Sequence, residues 1–142
     1  MSNNKFGVLI LTHGRPDNIR TINSLKDHGY TGEIYLVVDN EDKSRQEYIE
    51  RYGEEMVYIF DKKKYADAVD EGNNFDERRT ITHARNASFD IAEKIGLRYF
   101  MQLDDDYTAF EYRIDRNDRR HIRDLDSIFN ILLEFYKTIP AH

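Results

Sequence analysis

Phe6–Pro16 reads FGVLILTHGRP. Its near-continuous apolar run, Phe6–Thr12, has the pattern of a strand covered on both faces, because a strand wetted on one side alternates apolar and polar residues. Pro16 stands where the first turn of a helix tolerates it, since the N–H it lacks needs no partner there. Ile19, Ile22 and Leu25 recur at helical spacing, and Gly29 supplies the stop. The same unit repeats outward. Ile34–Val38 (IYLVV) reads as a second buried strand and ends in Asp39-Asn40. Ser44-x-x-Glu47 has the spacing of a capping box for a short helix through Tyr48, Ile49 and Tyr52, closed by Gly53. Met56–Phe60 (MVYIF) is a third strand. Ile81, Ala84, Ser88, Ile91 and Ile95 mark one face of a helix that ends at Gly96. Tyr99–Leu103 (YFMQL) is a fourth strand, and it runs straight into Asp104-Asp105-Asp106.

Strands alternating with helices pair in parallel. The expected fold is α/β, a Rossmann-like, mostly parallel sheet flanked by helices, with residues 1–142 forming a single domain. Ligands of such sheets bind beyond the carboxyl ends of the strands. Here those ends carry Thr12–Arg15, Asp39-Asn40, Asp61 and Asp104–Asp106, so polar side chains gather on one edge. Asp61–Arg79 is too long and polar for an idle connection and reads as a binding loop or lid. Arg113–Arg123 holds five arginines interleaved with Asp115 and Asp118, either a solvated face or an acceptor-binding surface. Leu125, Ile128, Phe129, Leu132, Leu133 and Tyr136 form a wide helical stripe for core packing or for an interface, self-association among the possibilities.

Composition narrows the function classes. The chain has 142 residues, 21 basic against 27 acidic, and a net charge of −6, with no cysteine or tryptophan. That length suits one domain. Ten Tyr and eight Phe supplement the aliphatic residues, which argues against disorder. Absence of cysteine excludes disulfide scaffolds, thiol catalysis and cysteine-rich zinc sites. The longest apolar runs, Val8–Leu11 and Ile131–Leu133, fall far short of the roughly 20 residues that span a bilayer. Met1–Lys5 is polar and shows no secretory signal. The expectation is a cytoplasmic protein without membrane contact, and its acidic balance disfavours nonspecific nucleic-acid binding.

The acidic triplet is the motif with most chemistry. In extended backbone, Asp104 and Asp106 point to one side and Asp105 to the other. Paired carboxylates repel unless a cation lies between them. Hard oxygen donors without histidine or cysteine favour Mg²⁺ or Mn²⁺ over zinc. The plainer alternative is a solvated acidic turn. Asp104-x-Asp106-x-Thr108 also fits the nucleophile motif of haloacid-dehalogenase-like phosphatases, although three strands precede it here. One glycine in Thr12–Pro16 rules against the dinucleotide fingerprint, and there is no Walker pattern. Arg15 can meet a phosphate or a base, or simply start a helix. Asp39 can accept from ribose hydroxyls or a base N–H, or serve only as a turn residue. Arg78, Arg79 and Arg85 are candidate partners for a diphosphate, which needs cations besides its metal. Arg85 could instead pair with Asp90 or Glu93. His83 reads as structural, and Lys62–Lys64 as solvated surface.

Taken in order, these features resemble a nucleotide-sugar glycosyltransferase of the GT-A fold from Lys5 to about Phe110. The carriers are Thr12-x-x-Arg15-Pro16, Asp39, Ala84-Arg85-Asn86 and Leu103-Asp104-Asp105-Asp106. The resemblance implies that the triplet is that family's DxD motif. Asp106 then ligates the divalent metal, Mn²⁺ or Mg²⁺, and Asp104 reaches the ribose or the metal through water. It further implies that Asp39 and Thr12, His13 and Arg15 hold the base. Arg85 faces the diphosphate or sugar of a nucleoside-diphosphate sugar, with Arg78, Arg79 and Asp105 completing the nucleotide site. More narrowly, HGRPDN, VDNEDK, the EGNNFDERR loop and QLDDDY are similar to phage and bacterial glycosyltransferases associated with TET-like base hydroxylases. That likeness implies a hydroxymethylated base in DNA as acceptor. GT-A enzymes usually carry a second half after the metal motif, which supplies the acceptor site and, in inverting members, the base. Only Tyr107–His142 follows here, so the expectation is a donor-binding part, incomplete at its C-terminus, with the catalytic base outside it. A non-catalytic nucleotide- or protein-binding module of the same fold is the competing reading.

Overall fold

The computed structural model describes residues 5–68, 77–113 and 119–139, with the side chains of 66–68, 77–81, 112–113 and 119 left aside. Four strands, β1 (Phe6–Leu11), β2 (Glu33–Asp39), β3 (Val57–Phe60) and β4 (Tyr99–Asp104), form one parallel sheet in the order β3-β2-β1-β4. Helices α1 (Arg20–Asp27), α2 (Arg45–Tyr52), α3 (Lys62–Ala68) and α4 (Glu77–Ile95) connect them. A small antiparallel hairpin, β5 (Glu111–Arg113) and β6 (Arg119–His121), and the helix α5 (Leu125–Lys137) follow.

The opening apolar run is explained by two cores. Val8 and Ile10 of β1, with Leu36 and Val38 of β2, pack on one face against Ile19, Ile22, Leu25, Tyr48, Leu125 and Phe129. Leu9, Leu11 and Val37 point the other way, into Ala84, Ala87, Ile91 and Ala92 of α4. A strand flanked on both sides and covered on both faces has no place for an alternating polar residue. The α/β, Rossmann-like sheet of the sequence reading is therefore the fold. From β1 the chain steps outward to β2 and β3, then returns to place β4 on the other side of β1. Such a reversal opens a crevice at the carboxyl ends of the strands that flank it, here β1 and β4.

Several local expectations differ. Pro16 lies ahead of α1, which starts at Arg20. It occupies the second position of a turn closed by Asn18 N–H to Arg15 O at 3.1 Å, a position that favours proline's fixed φ as much as a helix start does. Ser44 precedes α2, but its side chain makes no capping bond. With φ −89° and ψ 3° it is not in the extended conformation that aims a capping hydroxyl. The carboxylate of Asp42 takes the Ser44 N–H instead, at 2.8 Å, and Glu47 pairs with Arg51. The segment read as a loop from Asp61 to Arg79 contains α3 and the start of α4; Asp61 Oδ1 accepts from Lys63 N–H at 3.0 Å and so begins α3. The arginine-rich stretch starts at the last residue of β5 and contains β6. Of the α5 stripe only Leu125 and Phe129 are buried, while its Tyr136, with Ile131 and Phe135 outside the stripe, is more than 60% exposed. Among the described residues, no helix is long and apolar enough to cross a membrane.

Candidate functional site

The carboxyl ends of β1, β2 and β4 bring together Thr12, His13, Arg15, Asp39, Asp104, Asp105 and Asp106 (β1 and β4 pair up to Leu11–Asp104). β4 ends at Asp104, and Asp105 and Asp106 lie in the turn that follows, so the extended backbone expected through the triplet stops at its first residue. Asp105 is buried, Asp104 is half-exposed and Asp106 exposed. Asp105 Oδ2 accepts the Thr12 hydroxyl at 2.7 Å, and its Oδ1 accepts Arg15 Nη1 at 3.2 Å. Thr12 has one proton, which it gives to Asp105, so the 2.8 Å contact between Thr12 Oγ1 and the Tyr48 hydroxyl has tyrosine as donor. Tyr48 in turn accepts the Arg15 N–H at 2.8 Å. Burial pushes the Tyr48 phenol up to about 12, which keeps it a neutral donor in this chain. Thr21, buried in α1, donates to Asp104 O at 2.6 Å and accepts Tyr107 N–H at 3.0 Å. The backbone on either side of the triplet is thereby clamped to α1.

On the β4 side, Arg85 of α4 lies 3.5 Å from Asp104 Oδ1 and 3.4 Å from Gln102 Oε1. Gln102 returns a bond from its Nε2 to Arg85 O at 3.0 Å. Asp90, one of the alternative partners for Arg85, accepts instead from Tyr65. On the β2 side, His13 Nδ1 is 2.8 Å from Asp39 Oδ2 and 3.6 Å from Asp42 Oδ2. Asp42 also takes the Gly14 N–H at 2.8 Å and so shapes the turn after β1. His83 is buried in α4, as its place beside the apolar stripe suggested. Arg78 and Arg79 fall on the first turn of α4, with side chains outside the described residues, as is most of the EGNNFDERR segment.

Asp42, Tyr48, Thr21 and Gln102 were not singled out from the sequence. Each acts through a partner at least 17 residues away, and only the acidic loop after β2 carried a hint.

The fit to a divalent cation can be tested on this donor set. Among the described residues no three His, Cys, Asp or Glu side chains stand together as a ready-made metal cage. Mg²⁺ and Mn²⁺ do not need one, since they commonly take one or two carboxylates and fill the remaining positions with phosphate oxygens and water. Asp104 and Asp106, at alternate positions on an open edge, fit that requirement. A zinc site would need nitrogen or sulfur donors, and the nearby imidazole of His13 is engaged with Asp39. A hollow of ≈ 550 Å³ lies at the opposite end of the sheet, lined by Glu33, Glu54 and Glu55 among others.

Comparison with protein families gives one finding. The sequence model of the family described as TET-Associated Glycosyltransferase matches residues 6–142. No curated protein matches the chain, and no solved structure does. The match favours a transferase over the phosphatase reading of Asp104-x-Asp106-x-Thr108.

Proposed function

The chain belongs to the TET-associated glycosyltransferase family, and from that premise we propose that its carboxyl edge binds a nucleoside-diphosphate sugar with a divalent cation. The proposed reaction transfers the sugar to an acceptor hydroxyl, that of a hydroxymethylated base in DNA. The observation that carries this reading is the inward turn of Asp105. Thr12 and Arg15 hold that carboxylate, which leaves the half-exposed Asp104 and the exposed Asp106 as the pair that would hold Mn²⁺ or Mg²⁺. A cation bound there supplies Lewis-acid stabilisation of the charge that develops on the departing diphosphate. Arg85, beside Asp104, adds a fixed positive charge for the same oxygens. The loop Thr12–Arg15 and the end of β2 flank the place for the nucleoside. Thr21 and Tyr48 keep the two loops in register before ligand arrives, so little ordering is left to be done on binding.

Calorimetric titration with UDP, GDP, CDP and ADP, each with and without Mn²⁺, tests the reading. One nucleotide is expected to bind only with the metal. Asp106→Asn is expected to weaken that binding at least tenfold, about 1.4 kcal/mol, with its urea midpoint unchanged because Asp106 is exposed. Metal-dependent affinity that survives in Asp106→Asn, or failure of all four nucleotides, overturns the proposal.

A further inference from the structure

Three titratable side chains meet on the β2 side of the edge, and their burial is unequal. The Asp39 and Asp42 side chains are 2% exposed, whereas that of His13 is 56% exposed. All four carboxylate oxygens already have donors. Asp39 Oδ1 accepts from Glu41 N–H at 2.9 Å and Oδ2 from His13 Nδ1 at 2.8 Å. Asp42 Oδ1 and Oδ2 accept from Ser44 N–H and Gly14 N–H, each at 2.8 Å. With its side chain only 2% exposed, Asp39 presents almost no oxygen surface to a ligand. A carboxylate can only accept, so Nδ1 of His13 carries the proton and the neutral ring has its lone pair on Nε2. The Nε2 atom makes no hydrogen bond among the described residues. The other charged groups nearby are engaged elsewhere: Arg15 with Asp105 and Glu41 with Lys62.

We propose that His13, not Asp39, reads the nucleoside of the donor: Nε2 accepts an N–H of the base or an O–H of the ribose, and Asp39 is a positioning residue that fixes the tautomer. This rests on the donor-site reading above. It gives the histidine–carboxylate pair the role such pairs play around metal-bound histidines, where the second partner sets ring orientation and basicity, but turned toward an organic ligand.

The test uses the full chain, Mn²⁺ and whichever of UDP, GDP, CDP or ADP binds tightest, titrated at pH 8. His13→Ala is expected to lose affinity three- to tenfold. His13→Gln, which keeps an acceptor near the Nε2 position, is expected to retain part of the affinity. Both substitutions fall at an exposed side chain, so the fold is preserved, and circular dichroism checks it. Multiple-bond ¹H–¹⁵N spectra of the ligand-free protein are expected to show the Nδ1–H tautomer for His13, and Asp39→Asn to shift it toward Nε2–H. An Nε2–H ring in the wild type, or unchanged binding by His13→Ala, overturns this proposal while leaving the donor site standing. Failure of every nucleotide overturns both.

Discussion

At the scale of single residues, the decisive feature is a directed chain of hydrogen bonds. Arg15 N–H donates to the Tyr48 hydroxyl, Tyr48 to Thr12, and Thr12 to Asp105. Every link is set by proton counting, because the terminal carboxylate has none to give. Thr12→Val keeps the shape of the side chain but leaves Tyr48 without an acceptor and one oxygen of Asp105 without a donor. Buried groups stripped of a partner cost about 1–3 kcal/mol, so the urea midpoint should fall accordingly, and nucleotide affinity should fall with it as the turn of Asp105 loosens. Strand periodicity suggested setting Asp105 apart from Asp104 and Asp106, and Asp105 alone of the three is buried, although β4 ends at Asp104 and a turn follows. The destination of the Asp105 carboxylate was not legible, because its partner Thr12 is 93 positions away and a threonine at a strand end carries no mark of what it will hold.

Elements were most legible where apolar runs were longest. All four sheet strands follow from their runs, while the ends of helices depended on residues with two uses. Proline serves a turn as well as a first helical turn, and serine caps only in extended backbone; α1 and α2 show both outcomes. Glycine is clearer, and Gly29 does two things at once. It closes α1 with φ +92°, and a Cβ there would lie 2.3 Å from the carbonyl oxygen of Arg123, in the backbone that leads into α5. The same junction holds His28, whose Nδ1 donates to Ile122 O at 2.6 Å and whose Nε2 accepts Phe110 N–H at 3.3 Å. Gly29→Ala should therefore combine positive-φ strain, about 1 kcal/mol, with a displaced hairpin-to-α5 junction, and a calorimetric scan should show a clear fall in Tm. Gly53→Ala is the control: φ is +95°, but nothing lies within 4 Å of the added carbon, so it should show the conformational cost alone.

For the whole molecule, the gathering of polar residues at one edge was readable, since it needs only the parallel α/β rule and the residues that end each run. The strand order was not, and with it went the knowledge that β1 and β4 are neighbours and Thr12 and Asp105 partners. Tyrosines give the folded chain its alkaline limit. Burial pushes Tyr35, Tyr48 and Tyr65 each up to about 12, whereas in the unfolded chain they ionise near 10. Between those values the unfolded state has released protons that the native state still holds, so native stability is present below pH 10 and declines as pH rises toward 12. Urea midpoints at pH 9 and pH 11 should differ in that direction, and absorbance at 295 nm should show a late-titrating set of phenols.

The sheet order also puts a clock inside the site. β1 meets β2 across a separation of 26 residues, as in Gly7 to Glu33, but meets β4 across 93, as in Phe6 to Tyr99. Closing the longer loop costs more chain entropy, and non-local pairings are the slow ones. The histidine–aspartate half of the edge, built on β1 and β2, can therefore assemble before the triplet half, which waits for β4 to dock. Pulse-labelled amide exchange during refolding should protect Val37 and Val38 of β2 ahead of Met101 and Leu103 of β4, so that the side proposed for the nucleoside takes shape before the side proposed for the cation.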